Sequence, residues 1–231
     1  LVQGKFREGW QEFEWRSHFA DPPSTGRPSR RWTGEPLHGQ RILLNAEQGL
    51  GSTLQFARYC SLIRRRGGYV ILRCPPQFIE LMRESCIADE VTSSTNPSPP
   101  HALRCSLLSL PGIFNTTLDS IPAETPYLRP SPQLLQRWRD QLSAIKGLRI
   151  GITWQDGGRA EDRQVPHISI TDFQNLATMD GITLVNLRHG PATQSMAPPT
   201  CIPLYKPDKS QNTDITIHDL AAIISNLDLV I

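Results

Sequence analysis

The sequence predicts an α/β protein built from two doubly wound lobes, and three observations carry that prediction. A strand, glycine turn, helix and strand follow one another from Arg41 to Leu72. The same grammar starts again at Leu148. Between the two runs, Ser131-Pro132 opens a helix, with serine as cap and proline in the first turn. A strand, helix, strand unit closes by a right-handed crossover, so each run implies a parallel sheet, and the cleft between two such lobes is the default ligand site.

The elements follow in order. Phe6, Trp10 and Phe13 share one face of an amphipathic helix in Leu1 to Arg16. Asp21 to Pro36, rich in proline and carrying Arg27, Arg30 and Arg31, is a loop or linker. Arg41-Ile42-Leu43-Leu44-Asn45 is a strand, Glu47 to Gly51 a turn, and Ser52 to Arg66 a helix closed by Gly67-Gly68. Tyr69 to Leu72 is the next strand and Gln77 to Ser85 a short helix. Thr92 to Pro100 is a loop, and Leu107 to Pro111 is expected as a short buried strand. Leu134, Leu135, Trp138 and Leu142 stripe the helix opened by Pro132, and Gly147 ends it. Leu148 to Trp154 is a strand and Gln155 to Pro166 a polar loop. Thr171-Asp172-Phe173-Gln174 fits a capping box, Ile182 to Leu187 a strand and Ile217 to Ser225 a helix. Leu227 to Ile231 is expected as a buried last strand, which suggests a chain cut from something longer.

Composition narrows the function classes. Lys and Arg total 24 against 22 Asp and Glu, a net charge of +2, which argues against a dedicated polyanion binder and so against nucleic acid as partner. No apolar run reaches the roughly 20 residues that a membrane span needs. The five cysteines, Cys60, Cys74, Cys86, Cys105 and Cys201, form no C-x-x-C pair, and no histidines stand at H-x-x-x-H spacing, so no metal site is expected. They fit thiols of a reducing, cytoplasmic compartment.

The chemical motifs are sparse. Gly49-Leu50-Gly51, between strand and helix, could present backbone N–H groups to an anion. A dinucleotide fingerprint would need glycine where Leu54 stands and an acid where Arg73-Cys74 stand. Ser52 sits where a nucleophile elbow would place its serine, but the flanking positions are Leu50 and Leu54, so a helix-capping hydroxyl is the simpler reading. Arg64-Arg65-Arg66 complements the end of a helix dipole. The loop holding Asp156, Arg159, Glu161, Asp162 and Arg163 is open to two readings, a solvated loop or arginines offered to a phosphate. His167, His189 and His218 have no carboxylate partner at useful spacing, and Asp219 fits capping or solvent contact.

One stretch is distinctive. Glu47-Gln48-Gly49-Leu50-Gly51-Ser52-Thr53-Leu54-Gln55-Phe56-Ala57-Arg58-Tyr59 resembles the E-Q-G-L-G-D-T-I-Q-F-A-R-Y motif of bacterial tetratricopeptide-repeat glycosyltransferase-like proteins. Gly9 to Arg16 resembles the G-W-x-x-Y-E-W-R that closes their repeat array, and Trp32 to Leu37 resembles W-x-G-E-x-L. Ser109-Leu110-Pro111, Ile121-Pro122-Ala123, Pro126-Tyr127-Leu128, Gly151-Ile152-Thr153-Trp154 and Leu227 to Ile231 follow in the family's order.

The resemblance implies a GT-B architecture of two Rossmann-like lobes, the second incomplete. Its divisions are a repeat end at 1–20, a linker at 21–36, a first lobe at 37–130, a connecting helix at 131–147 and part of a nucleotide-sugar-binding lobe at 148–231. It implies sugar transfer from a nucleotide-sugar donor to an acceptor hydroxyl on a protein or glycan, without an obligatory metal or cofactor, and protein partners through the repeat region. Gln48, Gly49, Gly51 and Gln55 would line the acceptor cleft, and Trp154 and Arg163 the donor phosphate. Ser52 stands at the position of the family's aspartate, the proposed base in the related heptosyltransferases, and a serine cannot take a proton at neutral pH. The alternative implication is a non-catalytic interaction or scaffold protein with a degenerate transferase lobe.

Overall fold

The computed structural model describes residues 1–16, 29–47, 49–154, 168–188, 202–207 and 215–231. The chain divides into two compact units, Leu1–Arg129 and Pro130–Ile231.

Unit 1 is a five-stranded parallel sheet with helices around it. Its strands are β1 (Arg30–Arg31), β2 (Arg41–Asn45), β3 (Tyr69–Cys74), β4 (Glu90–Ser93) and β5 (Leu103–Ser106), in the order β1-β5-β2-β3-β4. Ile42, Leu43 and Leu44 of β2 and Val70, Ile71 and Leu72 of β3 are buried in succession, the signature of a central parallel strand covered on both faces. Helix α1 (Phe6–Phe13) lies against the short helix that follows β5: the indole of Trp10 donates to the Thr116 carbonyl at 2.9 Å, and its side chain rests beside Gly112. The expected repeat end is therefore one two-turn helix docked on this unit.

Several expectations shift in detail. The stretch expected as a linker includes β1, which pairs with β5, and the fully buried Trp32, whose indole donates to the Glu35 carbonyl at 2.9 Å. The single helix expected from Ser52 is two, α2 (Gly49–Ala57) and α3 (Cys60–Arg65). The chain turns between them at Arg58-Tyr59, where Tyr59 donates to Thr116 Oγ1 at 3.1 Å and Arg58 to the Pro122 carbonyl at 2.5 Å. Ser52 therefore lies inside the first turn of α2 and does not cap it. Helix α4 is Ile79–Glu84, entered through a 3-10 turn at Pro76–Phe78.

The buried strand expected at Leu107 to Pro111 is instead a 3-10 turn, Leu107–Ser109, running into helix α5 (Leu110–Ile113). Ser106 caps it by accepting from the Leu108 N–H, and Pro111, which has no N–H to give a sheet, sits in the first helical turn. The strand is the preceding segment, β5, whose alternating burial shows a period of two. The loop expected from Thr92 likewise begins later, because β4 runs to Ser93.

Arg64, Arg65 and Arg66 all have partners inside unit 1. They are Asp89, Glu124 and, for Arg66, the Gly34 carbonyl and the face of Phe114.

Unit 2 opens with α6 (Pro132–Leu142), capped as expected by Ser131 Oγ accepting from Leu134 N–H. Its strands β6 (Leu148–Ile152), β7 (Ile182–Asn186), β8 (Leu204–Tyr205) and β9 (Leu229–Val230) form a parallel sheet in the order β8-β7-β6-β9. Helix α7 (Gln174–Ala177) is entered by a capping box formed by Ser169 and Asp172, two residues before the one expected at Thr171. Helix α8 (Ile217–Ile224) has the box formed by Thr216 and Asp219, so Asp219 caps as expected. Asp219 also receives the indole N–H of the fully buried Trp138 at 3.1 Å, which joins α8 to α6.

Two apolar clusters sandwich this sheet. Ile150, Ile152, Trp154, Phe173 and Leu184 form one, and Trp138, Leu142, Val185, Ala222 and Ile223 the other. Gly151 makes room for its neighbours: a Cβ there would come within 2.5 Å of a methyl of Leu187 and of Leu227, so both side chains would have to shift. Leu229 and Val230 of β9 are 52% and 45% exposed rather than buried, and among the described residues β9 pairs with β6.

Two glycines offer a matched test of this packing. Gly147 and Gly181 have φ of +81° and +79°, but a Cβ on Gly147 would drive into the Gly181 backbone, whereas one on Gly181 meets nothing within 4 Å. Gly181→Ala should cost only the left-handed strain, about 1–2 kcal/mol. Gly147→Ala should cost clearly more, and urea unfolding of the two variants checks the order.

Candidate functional site

In unit 1 the strand order reverses next to β2. The chain runs from β2 outward to β3 and β4, then returns to place β5 on the other side of β2. At such a reversal the connections leave in opposite directions, and the carboxyl ends of the two central strands bound a crevice that no crossover covers. Glu47 lies two residues past the end of β2, and Ser106 is the last residue of β5.

A polar cluster fills this position. The Arg16 guanidinium, its side chain only 10% exposed, donates to Glu47 Oε1 from Nε at 3.1 Å and from Nη2 at 2.9 Å. It also reaches Glu14 Oε1 at 2.9 Å, the Phe13 carbonyl at 3.0 Å and Ser109 Oγ at 2.9 Å. The Phe13 ring lies under it, 4.4 Å from Cζ. Ser106 Oγ donates to the same Glu47 Oε1, and Ser109 Oγ donates to Glu14 Oε2 at 3.0 Å. Arg31 closes the group on Glu14 Oε2. Two arginines face two carboxylates, so the cluster is neutral; the Arg16–Glu47 pair is largely withdrawn from water, while Glu14 and Arg31 reach its exposed side, and the planar fork of arginine suits this many acceptors.

The sequence-predicted residues fall around this cluster. Gly49 and Gly51 are exposed at the start of α2, Gly49 at a φ of +72°, and a Cβ on either would meet nothing within 4 Å. Ser52 is half-buried and Gln55 exposed on α2. The hydroxyl of Ser52 takes part in no hydrogen bond among the described residues, whereas Thr53 Oγ1 donates back to the Gly49 carbonyl at 3.1 Å. Gln48 lies outside the described residues, as do Arg163, the rest of the loop after Trp154, His167, His189 and Cys201. Sequence reasoning missed Arg16, Glu14, Arg31, Ser106 and Ser109 as a group. They come from three separated segments, and the signal available was that Glu14, Arg16, Glu47 and Ser109 all stood inside matched motifs.

Unit 2 repeats the topology. The chain runs from β6 to β7 to β8 and then sets β9 on the other side of β6, so the reversal lies between β6 and β9. Trp154 stands just past β6, 6% exposed, and its indole Nε1 finds no partner among the described residues. The Arg188 guanidinium, just past β7, lies 4.8 Å over the Trp154 ring. His218 is buried and accepts from the Ser131 N–H at 3.0 Å, a structural role.

Three of the thiols are buried and poorly placed to act as nucleophiles. Burial pushes Cys60 and Cys105 up to about 12 and Cys74 up to about 11, which keeps all three protonated at neutral pH. Cys86 is exposed. Among the described residues no three His, Cys, Asp or Glu side chains cluster as metal ligands, and no helix is long and apolar enough to cross a membrane.

Comparison with known proteins follows the fold. The crystal structure of a glycosyl transferase family 9 protein from Veillonella parvula superimposes with a TM-score of 0.56 at 11% identity, covering 85% of this chain and 76% of that one. The chain thus has a mixed α/β fold with parallel sheets like that protein's. Protein FlbA of Caulobacter vibrioides is 24% identical over 255 aligned residues, which take in all of this chain. The chain spans 43% of FlbA's length. No protein-family model matches.

Two outcomes are expected. Arg16→Met removes the charge that offsets Glu47 and should destabilise unit 1 by about 2–3 kcal/mol, read from urea unfolding. Alkylation of the native protein at pH 8, mapped by peptide mass, should mark Cys86 and spare Cys60, Cys74 and Cys105. Because the three buried thiols have raised folded values, their contribution to stability is complete below the ordinary thiol value of about 9. It should decline as pH rises from there toward 11–12.

Proposed function

We propose that the protein is a glycosyltransferase that moves a sugar from a nucleotide-sugar donor to an acceptor hydroxyl. The observation that carries this reading is the fold shared with a family 9 glycosyl transferase over 85% of the chain. Supporting it, the motifs that suggested a transferase, Glu47 to Gln55 and Gly151 to Trp154, stand at the carboxyl ends of the strands where each sheet reverses. In this reading the two units are the two Rossmann-like lobes of a GT-B enzyme. Acceptor binding is assigned to the open glycine turn of unit 1, with Gln48, Gly49, Gly51 and Gln55, and donor binding to unit 2.

The chemistry asks for positive charge and hydrogen-bond donors where the nucleoside diphosphate leaves. Trp154 fits that need through an indole N–H without a partner among the described residues, in a side chain already buried. Arg188, stacked on the same ring, adds the charge, and Arg163 keeps the donor-phosphate role that the sequence gives it. Such neutralisation by arginine assigns no step to a metal or other cofactor. The acceptor is a protein or glycan hydroxyl.

A second reading has one observation in its favour. Ser52 occupies the position of the family's aspartate, as expected of an interaction protein whose transferase lobe has decayed. The full-length protein should be incubated with UDP-, GDP- and ADP-linked sugars while nucleoside diphosphate release is followed. Release by the wild type, with the donor KM raised about tenfold by Arg188→Ala, supports the transferase. Absence of release with every donor, unchanged in Ser52→Asp, supports the scaffold.

A further inference from the structure

We propose that Glu47 takes the proton of the acceptor hydroxyl, filling the catalytic role that Ser52 cannot fill. The inference rests on the transferase reading and adds to it the identity of the base.

The argument begins with how Glu47 is held. Its Oε1 receives Arg16 Nε, Arg16 Nη2 and Ser106 Oγ, while Oε2 makes no hydrogen bond to any described residue. Glu14, the other carboxylate of the cluster, has both oxygens engaged: Oε1 by Arg16, Oε2 by Ser109 and Arg31. One acid of the pair is thus fully occupied by the fold, and the other is anchored by a single oxygen, its second oxygen having no partner among the described residues. A carboxylate fixed in that way has little rotamer freedom to lose when it accepts a hydrogen bond from a ligand, which is what preorganisation of a base requires.

Location supports the same role. Glu47 is the first residue of the turn whose glycines face open space, at the one place in the sheet where a crevice is left by topology. Three other carboxylates of unit 1 are held in ion pairs: Glu35 with Arg30, Asp89 with Arg64, Glu90 with Arg41.

The step balances as a displacement. A lone pair of the acceptor oxygen forms the bond to the anomeric carbon. The bond from that carbon to the phosphate oxygen breaks, and its electron pair leaves with the nucleoside diphosphate. The acceptor's proton passes to Glu47 Oε2 and from there to water. Arg16 is a positioning residue, acting through Oε1 alone.

The test uses the full-length protein and the donor that the wild type turns over. Glu47→Gln preserves shape and an acceptor for Arg16 but cannot take the proton, so kcat for transfer should fall about 10²–10⁴-fold while the donor KM stays within about threefold. Glu47→Ala should regain at least tenfold of its lost rate when formate is added, a response that a merely structural residue would not give. If Glu47→Gln does not fold, Glu47→Asp serves in its place: it keeps the ion pair but withdraws the free oxygen, and its kcat should drop at least tenfold. A Gln or Asp variant turning over at the wild-type rate, or an Ala variant deaf to formate, overturns the role of Glu47 and leaves the transferase reading standing. A wild type that releases no nucleoside diphosphate from any donor overturns both.

Discussion

Both sheets are parallel, and both reverse their strand order once. That constraint decides where anything chemical can happen in this molecule. A parallel strand buried on both faces must be apolar along its length, as β2 and β3 are, so it can present a polar side chain only past its end. Crossover helices cover most strand ends. The exceptions lie where two neighbouring connections diverge, between β2 and β5 in unit 1 and between β6 and β9 in unit 2. Glu47 and Trp154 occupy those two exits, two residues beyond Asn45 and Ile152 respectively.

The polar cluster of unit 1 shows how an α/β sheet tolerates charge at such a point. Arg16 arrives from outside the sheet, at the end of the segment that begins with α1. Its guanidinium is backed by the Phe13 ring, and the helix is fixed by the Trp10 indole on the Thr116 carbonyl. Docking α1 is therefore what makes Glu47 tolerable where it stands: without the Arg16 charge, a carboxylate 19% exposed beside β5 would be poorly solvated and uncompensated. Packing of an aromatic stripe and the electrostatics of the site are one device, because α1 and the 3-10 turn Glu14–Arg16 that continues it deliver both.

Much of this was legible in the sequence, and what was not has definite causes. The β2–α2–β3 unit and the second run from Leu148 were readable because buried parallel strands give dense apolar runs, and Ser131-Pro132 marked α6 by capping chemistry alone. Local pattern failed where tertiary contact decides. The run from Leu107 to Pro111 is apolar enough for a strand, but Ser106 caps it and the proline favours a helical turn. Leu229 and Val230 are apolar enough for a buried strand, but they are exposed, and among the described residues β9 pairs with β6. The cluster itself joins residues 14–16, 31, 47 and 106–109, and no spacing rule connects segments so far apart.

The departure at Ser52 reads differently once Glu47 is placed. A serine in the first turn of α2 offers no carboxylate to accept a proton. The carboxylate of this turn is that of Glu47. Gly49 still adopts a φ of +72° with open space around it, and the carboxylate five residues before Ser52 is still held through one oxygen by three donors. Maintaining a charged group largely out of water at the end of a strand costs solvation energy that a pure scaffold could avoid with a neutral side chain. The presence of two opposed ion pairs at the one uncovered exit of the sheet therefore weighs against a merely structural surface. It agrees with the proposed role of Glu47 as the proton-accepting group at the end of β2.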